Sequence, residues 1–393
     1  MKLSTRALNI HPSATLAVSA RAAEMRRQGR DVIGFGAGEP DFDTPPHIKQ
    51  AAARALSEGH TGYAKPSHGI PIAREAVCEK LRRDNSLSYA PDQVIVTVGG
   101  KEALFLAFAA LIDPGDEVIL PVPYWVSFAE QIRFFGGMVV PVIGAAANEL
   151  RITADQLRDA LTPKTRVVVF NSPSNPGGFS YAPEEVRKLA AVVADRDVVV
   201  FSDEMYDRLL FGQGRAHLSF ANASPAVFDK TITINAVSKS HAMTGWRAGF
   251  AAGPRELISG MARIQSHSTS GTATFIQYAL AEALTGDQSH VETMRREFER
   301  RGRHMYLRLS SMPGVKCFAP TGAFYCFPDV SETYPRLGVA DSSQFCAKAL
   351  EEAHVALVPG AAFGMDTHVR LSFATDLETI DRGLDRLAKF LKQ

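Results

Sequence analysis

No stretch of the 393-residue chain approaches the ~18 consecutive apolar residues that would cross a bilayer as a helix. Charge of one sign is missing as well. The 43 basic and 42 acidic side chains leave a net charge of +1, so bulk electrostatics draw the chain toward neither nucleic acid nor a membrane surface. Cysteine is scarce, and Cys78, Cys317, Cys326 and Cys346 form no C-x-x-C pair and no zinc-site spacing. Free thiols in a reducing compartment are expected, not a disulfide framework. The eleven histidines include no H-E-x-x-H or similar pair, so no metal centre is expected. The first thirty residues are basic but have no sustained apolar core, which excludes a secretory signal, and they run into a helical pattern around Thr15 to Gln28. A cytoplasmic protein is expected.

Instead of repeats or long linkers, the chain has an alternation. QVIVTV (93–98), EVILP (117–121), TRVVVFN (165–171), DVVVFSD (197–203) and KTITINAV (230–237) read as buried strands. Apolar or amphipathic helical stretches, such as 101–112 and 184–196, lie between several of them. Continuous Val/Ile runs alternating with helices predict an α/β fold with a mostly parallel sheet buried on both faces. After about residue 285 the pattern changes. A long charged helix (290–312) is followed by the short strands VKCFAP, AFYCFPD and HVRLSFA and two more helices, which predicts a smaller α+β domain. We expect a large domain over 46–285 and a small one built from 1–45 and 286–393.

Ligands of parallel sheets bind beyond the carboxyl ends of the strands, so the polar residues closing these runs are the candidates. Lys239, in NAVSKSHAMTGWRAGF, is a potential amine nucleophile or base. Asp203 closes DVVVFSD; it suits either a helix cap or a charged partner for a protonated ring nitrogen. Tyr206 lies three residues on, and Asn175 sits in the turn-rich NSPSNPGG. Gly99-Gly100-Lys101 joins a strand to a helix start, where exposed amides suit a phosphate. Arg247 and Ser238 add a guanidinium and a hydroxyl, and Trp125 a flat aromatic face.

Asn175, Asp203, Tyr206, Lys239 and Arg247 are separated by 28, 3, 33 and 8 residues. In this order and spacing the chain resembles the fold type I, pyridoxal-phosphate-dependent class I aminotransferases, and within them the prokaryotic aspartate (and aspartate/prephenate) subgroup. The resemblance runs from PSATLAVSARAAEMRRQG through AGEPDFDTP, GYAKPSHGI, TVGGKEALF, PYWVSF, NSPSNPGG, SDEMYD and SKSHAMTGWR to VRLSFAT. It implies a large domain with a mostly parallel seven-stranded sheet, pyridoxal 5′-phosphate as cofactor, and a homodimer with shared active sites. Amino acids and 2-oxo acids are the implied substrates.

Residue by residue, the resemblance makes Lys239 the covalent anchor and proton carrier. Asp203 becomes the partner of the pyridine nitrogen, Tyr206 and Asn175 the donors to the ring oxygen, and Trp125 the stacking aromatic. Arg247, Ser238 and the Gly100-Lys101 amides form the phosphate cradle, completed by Tyr63 of the other subunit. Arg370 and Gly38 hold the substrate α-carboxylate, with Trp125 and Asn175 also against the substrate. Lys101, aided by Ser13 or Thr15, meets a distal carboxylate, so a dicarboxylate such as aspartate is expected, with 2-oxoglutarate as acceptor. The chain departs from the family at Gly177, where threonine is frequent, at Ala236, where serine is frequent, and in HSTSGTATF (267–275).

Four alternatives stand beside this reading. They are transamination of aromatic, basic or prephenate-like substrates, a lyase or oxidase on the same frame, a non-catalytic sensor, and a nicotinamide dehydrogenase. No G-x-G-x-x-G follows the first strand, and no helix-turn-helix extension or basic patch is present, which weighs against the last two.

Overall fold

The computed structural model describes every residue except Ser13, Gln213, Arg215 and Gln393. Twelve strands occur among the described residues. They are β1 (Ile33–Gly34), β2 (Val94–Val98), β3 (Glu117–Val122), β4 (Met138–Ile143), β5 (Thr165–Asn171), β6 (Val199–Asp203), β7 (Thr231–Ala236), β8 (Ala248–Ala252), β9 (Tyr325–Cys326), β10 (Val355–Ala356), β11 (Val358–Pro359) and β12 (Val369–Ser372). Strands β2 to β8 form one seven-stranded sheet in the order β2-β8-β7-β6-β5-β3-β4. The expected mostly parallel sheet is present, because β3 to β7 pair in parallel.

β8 runs antiparallel to both β2 and β7. Its reversal matters for the site. The start of β8, with Arg247 just before it, lies at the same sheet edge as the carboxyl ends of β2, β5, β6 and β7. Alternation within the strands explains why both faces are covered. Val167, Val169 and Phe201 join the cluster that includes Phe108 of the helix Gly100–Leu111. Val168, Phe170 and Val200 join a separate cluster with Phe220 and Phe363. Each such side chain contributes roughly 1.5–3 kcal/mol on burial, so the two packed faces fix the sheet edge firmly.

The chain ends come together away from this sheet. β1 pairs in parallel with β10, and Ser372 N donates to Phe35 O at 2.8 Å. β12 lies between β11 and β9, which sets Arg370 beside Tyr325. Helix Ser289–Ser310 packs Phe298 and Met305 against Phe324 and Phe373 in one core. VKCFAP, expected as a strand, pairs only at Lys316 with Asp329. Pro320 and Pro328 flank that pairing and supply no backbone donors to extend it.

Close approach of backbones explains one glycine. Gly249 of β8 lies against Gly99 and Gly100, and a Cβ there would sit well inside van der Waals contact with the Gly100 amide nitrogen. Gly249→Ala should therefore destabilise the protein by ~1–3 kcal/mol and lower its denaturation midpoint. A midpoint equal to that of the parent would contradict this packing.

Candidate active site

A cavity of ≈ 620 Å³ opens at the carboxyl edge of the sheet, between the two cores. Gly38, Gly100, Lys101, Trp125, Asn175, Asp203, Tyr206, Ser238, Lys239, Arg247 and Arg370 all line it. Eleven of the twelve expected site residues are thus brought together. The twelfth, Tyr63, is 83% exposed and does not line this chain's cavity. Thr15 is at the wall, whereas Ser13 lies outside the described residues.

Lys239 ends β7's continuation as a single helical turn, Val237–Ser240. The chain then doubles back, with Met243 N donating to Ser238 O at 3.1 Å and left-handed backbone at Ala242 and Arg247. That tight return is what the small residues after Lys239 allow. The Lys239 ammonium donates to Gly38 O. Burial, reinforced by Arg370, Arg247 and Lys101 and opposed by Glu39, lowers its pKa to about 8. Around that pH half of the amine is therefore the free base.

Asp203 is buried, and one carboxylate oxygen accepts from Met205 N at 3.1 Å. It thus caps the turn after β6 and leaves its second oxygen without a hydrogen bond from the described residues. Burial pushes its pKa up to about 7, against the pull of the Met205 amide and of Lys239. A cationic ring nitrogen at the free oxygen would reverse that shift. Tyr206 is buried three residues on, its hydroxyl 3.0 Å from that of Tyr325. Burial raises its phenol well above the ordinary value, so it is a proton donor at any working pH.

Arg370 is buried, and among the described residues no carboxylate lies in salt-bridge range of it. Its guanidinium donates to Asn175 Oδ1 at 2.9 Å and Gly36 O at 3.0 Å, while Nε has no partner. Rings of Tyr325 and Phe363 flank it at 4.5 and 5.2 Å. Since Asn175 Oδ1 accepts from Arg370, the amide NH₂ of Asn175 remains available as a donor.

At the opposite wall Gly99, with φ of 79°, starts the helix Gly100–Leu111. The first turn leaves the Gly100 and Lys101 amides unpaired within the helix. A Cβ on Gly99 would come 2.5 Å from Arg247 Nη2, and one on Gly100 2.5 Å from Met205 Cε. Arg247 is anchored by Thr244 O at 2.9 Å. Ser238, next to Lys239 in sequence, is buried and lines the same cavity. The Lys101 amine stands 4.9 Å over the Trp125 ring, its pKa lowered by burial and then by Arg247.

Five cationic side chains (Arg26, Lys101, Lys239, Arg247 and Arg370) line the cavity against two carboxylates, Glu39 and Asp203. The donor set therefore suits ligands carrying several negative charges. Pyridoxal phosphate fits it. Side-chain-free Gly99 and Gly100 beside Arg247 leave room for the phosphate, and the second carboxylate oxygen of Asp203, a buried residue on the cavity wall, would answer the pyridinium.

Sequence reasoning missed Tyr325, Glu39 and Arg26. Glu39 stands in the quoted AGEPDF, where its charge opposite Lys239 was the available signal. Tyr325 lies inside a strand-like apolar run, AFYCF, with nothing local to mark it.

Comparison with known proteins agrees with the geometry. The family model for aminotransferase class I and II matches residues 30–387. The aspartate aminotransferase of Geobacillus stearothermophilus is 47% identical over 392 residues, covering 100% of this chain and 99% of that one. The aspartate/prephenate aminotransferase of Thermus thermophilus is 46% identical, covering 99% and 98%. Among solved structures, the aspartate aminotransferase of Rhizobium meliloti superposes with a TM-score of 0.95 at 40% identity, covering 100% of this chain and 99% of that one. That of Thermus thermophilus with maleate gives 0.94 at 44%, covering 99% and 100%. The chain belongs to the class I and II aminotransferases and is a pyridoxal-phosphate-dependent transaminase.

Proposed function

We propose that this transaminase takes a dicarboxylic amino acid, aspartate foremost, as donor and 2-oxoglutarate as acceptor. The observation that carries the reading is the placement in one cavity of two cations, Arg370 and Lys101, that have no carboxylate partner among the described residues. Arg370 is a buried charge, costly unless an anion answers it, and the Lys101 amine stands over Trp125 in the same cavity, so a substrate with two carboxylates suits the pair better than one with a single carboxylate. The relatives named aspartate aminotransferase, and the maleate held by the Thermus thermophilus protein, support this choice.

The chain's own groups divide the work as follows. Arg370 grips the α-carboxylate through two N–H groups, with Gly38 leaving room beside it. Lys101, over Trp125, meets the distal carboxylate. Pyridoxal phosphate, when bound, supplies the conjugated ring that takes up the electron pair left at the substrate Cα. Asp203 would keep the ring nitrogen protonated, while Tyr206 and the Asn175 amide would be the donors to the ring oxygen. Arg247, Ser238 and the amides of Gly100 and Lys101 would hold the phosphate, and Trp125 would cover the ring face. Lys239 would be the covalent anchor, and once the substrate amine frees it, its Nζ would serve as the base that takes up and holds the substrate Cα proton.

The assembly is read as a homodimer, with Tyr63 the side chain each subunit lends to the other's phosphate cradle; its exposure outside its own cavity supports this. The large domain is read as 46–285, and the small one as 1–45 with 286–393, in keeping with the β1–β10 pairing. Four free thiols suit a cytoplasmic setting.

Three outcomes test the reading. Aspartate should shift the cofactor absorbance band of the holoenzyme, and 2-oxoglutarate should restore it; equal rates with aspartate, alanine and arginine would contradict dicarboxylate selection. Lys239→Ala should fold and retain cofactor non-covalently, while turnover falls by at least ~10²–10⁴-fold, as loss of a general base requires; near-parental kcat would remove Lys239 from the chemistry. Lys101→Met should cost roughly ten- to hundredfold in kcat/KM for aspartate, the worth of a charged hydrogen bond, and leave alanine nearly unaffected. Equal losses for both amino acids would assign Lys101 elsewhere.

A further inference from the structure

The turn that follows β6 has two faces. Asp203 and Tyr206 line the cavity, whereas Glu204 and Asp207 turn into the protein interior and are buried there. Period-two alternation sets Ser202 on the face of β6 opposite Phe201 and Asp203, and Glu204, just past the strand end, accepts from the Ser202 hydroxyl. Two buried carboxylates would destabilise the fold unless answered, and each is answered by specific partners.

Glu204 Oε1 accepts from Ser202 Oγ at 2.8 Å. Its Oε2 accepts from Ser219 Oγ at 2.6 Å and Asn85 Nδ2 at 2.9 Å, and lies 2.8 Å from His217 Nε2. Asp207 is ion-paired with the buried Lys80, whose ammonium also donates to Asn85 Oδ1 at 2.6 Å. Asn85 thereby ties the two carboxylates together, reaching Asp207 as well at 3.4 Å. Asp207 N donates to Glu204 O at 3.0 Å, which closes the turn between them. Behind Lys80, Asp84 lies at 3.9 Å and pairs with Arg208 and Arg83, each at 2.8 Å.

Burial alone would lift the Glu204 carboxyl, yet His217 and Ser219 hold it below the usual range. His217 is raised in return despite its burial, chiefly by the Glu204 carboxylate, which favours the charged form of the imidazole. Lys80 pulls Asp207 down to about 2 against the effect of burial. The other charged or titratable groups facing Glu204 are Asp203 with Lys239 on the cavity side and Tyr89 from below. None of the buried set touches the cavity, so none is needed for ligand contact.

We propose that Glu204 and Asp207 are positioning residues, clamped by Lys80, Asn85 and His217, that lock the turn aiming Asp203 at the cofactor nitrogen and Tyr206 at its ring oxygen. The inference rests on the roles given above to Asp203 and Tyr206. Misalignment of such groups by about 1 Å costs turnover steeply while leaving the substrate's own contacts in place. Glu204 also contributes a fixed negative charge behind Asp203, which favours protonation at the cofactor.

Glu204→Gln and Asp207→Asn holoenzymes, assayed beside the parent, test this. Each should melt within a few degrees of the parent, lose at least about tenfold in kcat, and keep KM for aspartate and 2-oxoglutarate within about threefold. In Glu204→Gln the midpoint pH of the cofactor absorbance change should also move lower by a few tenths of a unit or more, because a nearby negative charge is gone. Asp207→Glu should recover part of the lost kcat. Folded variants with parental kcat and midpoint would overturn the proposal. Should Glu204→Gln fail to fold, Ser219→Ala and His217→Asn, which keep the carboxylate, are read by the same criteria. A parent enzyme whose cofactor band does not respond to aspartate would instead remove the function beneath the proposal, and the proposal with it.

Discussion

Buried positive charge without an internal counter-ion is the constraint on which the site depends. Arg370 is held entirely inside the protein by Asn175, Gly36 and two aromatic rings, none of which carries a negative charge. Everything around it can be understood as tolerating that charge until an anion arrives. Neutral oxygens satisfy two of its donors, the rings contribute cation–π stabilisation, and Nε is left without a partner. Lys101, Arg247 and Lys239 add three more cations around the cavity, and the charges of Arg370, Arg247 and Lys101 reinforce burial in lowering the pKa of Lys239. The consequence for chemistry is direct. A lysine with its pKa near 8 is a usable base, and its neighbours' charges help keep it so.

The sheet makes this possible by bringing strand ends to one edge. Four parallel-sense strands deliver Gly99, Asn171, Asp203 and the Lys239 turn there, and antiparallel β8 begins at the same edge with Arg247. Without the reversal of β8 the phosphate-side arginine would sit at the far end of its strand. Gly249 allows β8 to approach Gly99 and Gly100 closely enough for Arg247 to reach the helix start. Asp203 and Tyr206 gain their rigidity from behind, through an ion cluster that shares the same six-residue segment. One short turn thus faces both the reactive cavity and the structural anchor.

Much of this was legible in the sequence, for identifiable reasons. β5 was readable to its ends because Val167 to Phe170 form an unbroken apolar run closed by Asn171, and the polar closers of such runs proved to line the cavity. β4 and β8 were not read as strands. Pro141 interrupts the pattern of β4, an edge strand, and β8 consists of small residues, AGFAA, that carry little β-propensity. Tyr325 was hidden because its role comes from β9 pairing with β12, a contact between residues almost fifty positions apart in sequence. The Lys80–Asp207–Glu204–His217 cluster was equally illegible, since charged residues on helices and loops ordinarily read as solvated. Only the tertiary fold reveals that they are buried.

The most direct measurement of the central claim uses an unreactive ligand, so that binding is separated from chemistry. Calorimetric titration of the holoenzyme with succinate and with butyrate compares two and one carboxylates on the same four-carbon frame. If buried Arg370 and the cavity-wall Lys101 define the site, succinate should bind at least about tenfold more tightly, the worth of one charged hydrogen bond, and should raise the melting temperature accordingly. Equal affinity for the two would contradict the account.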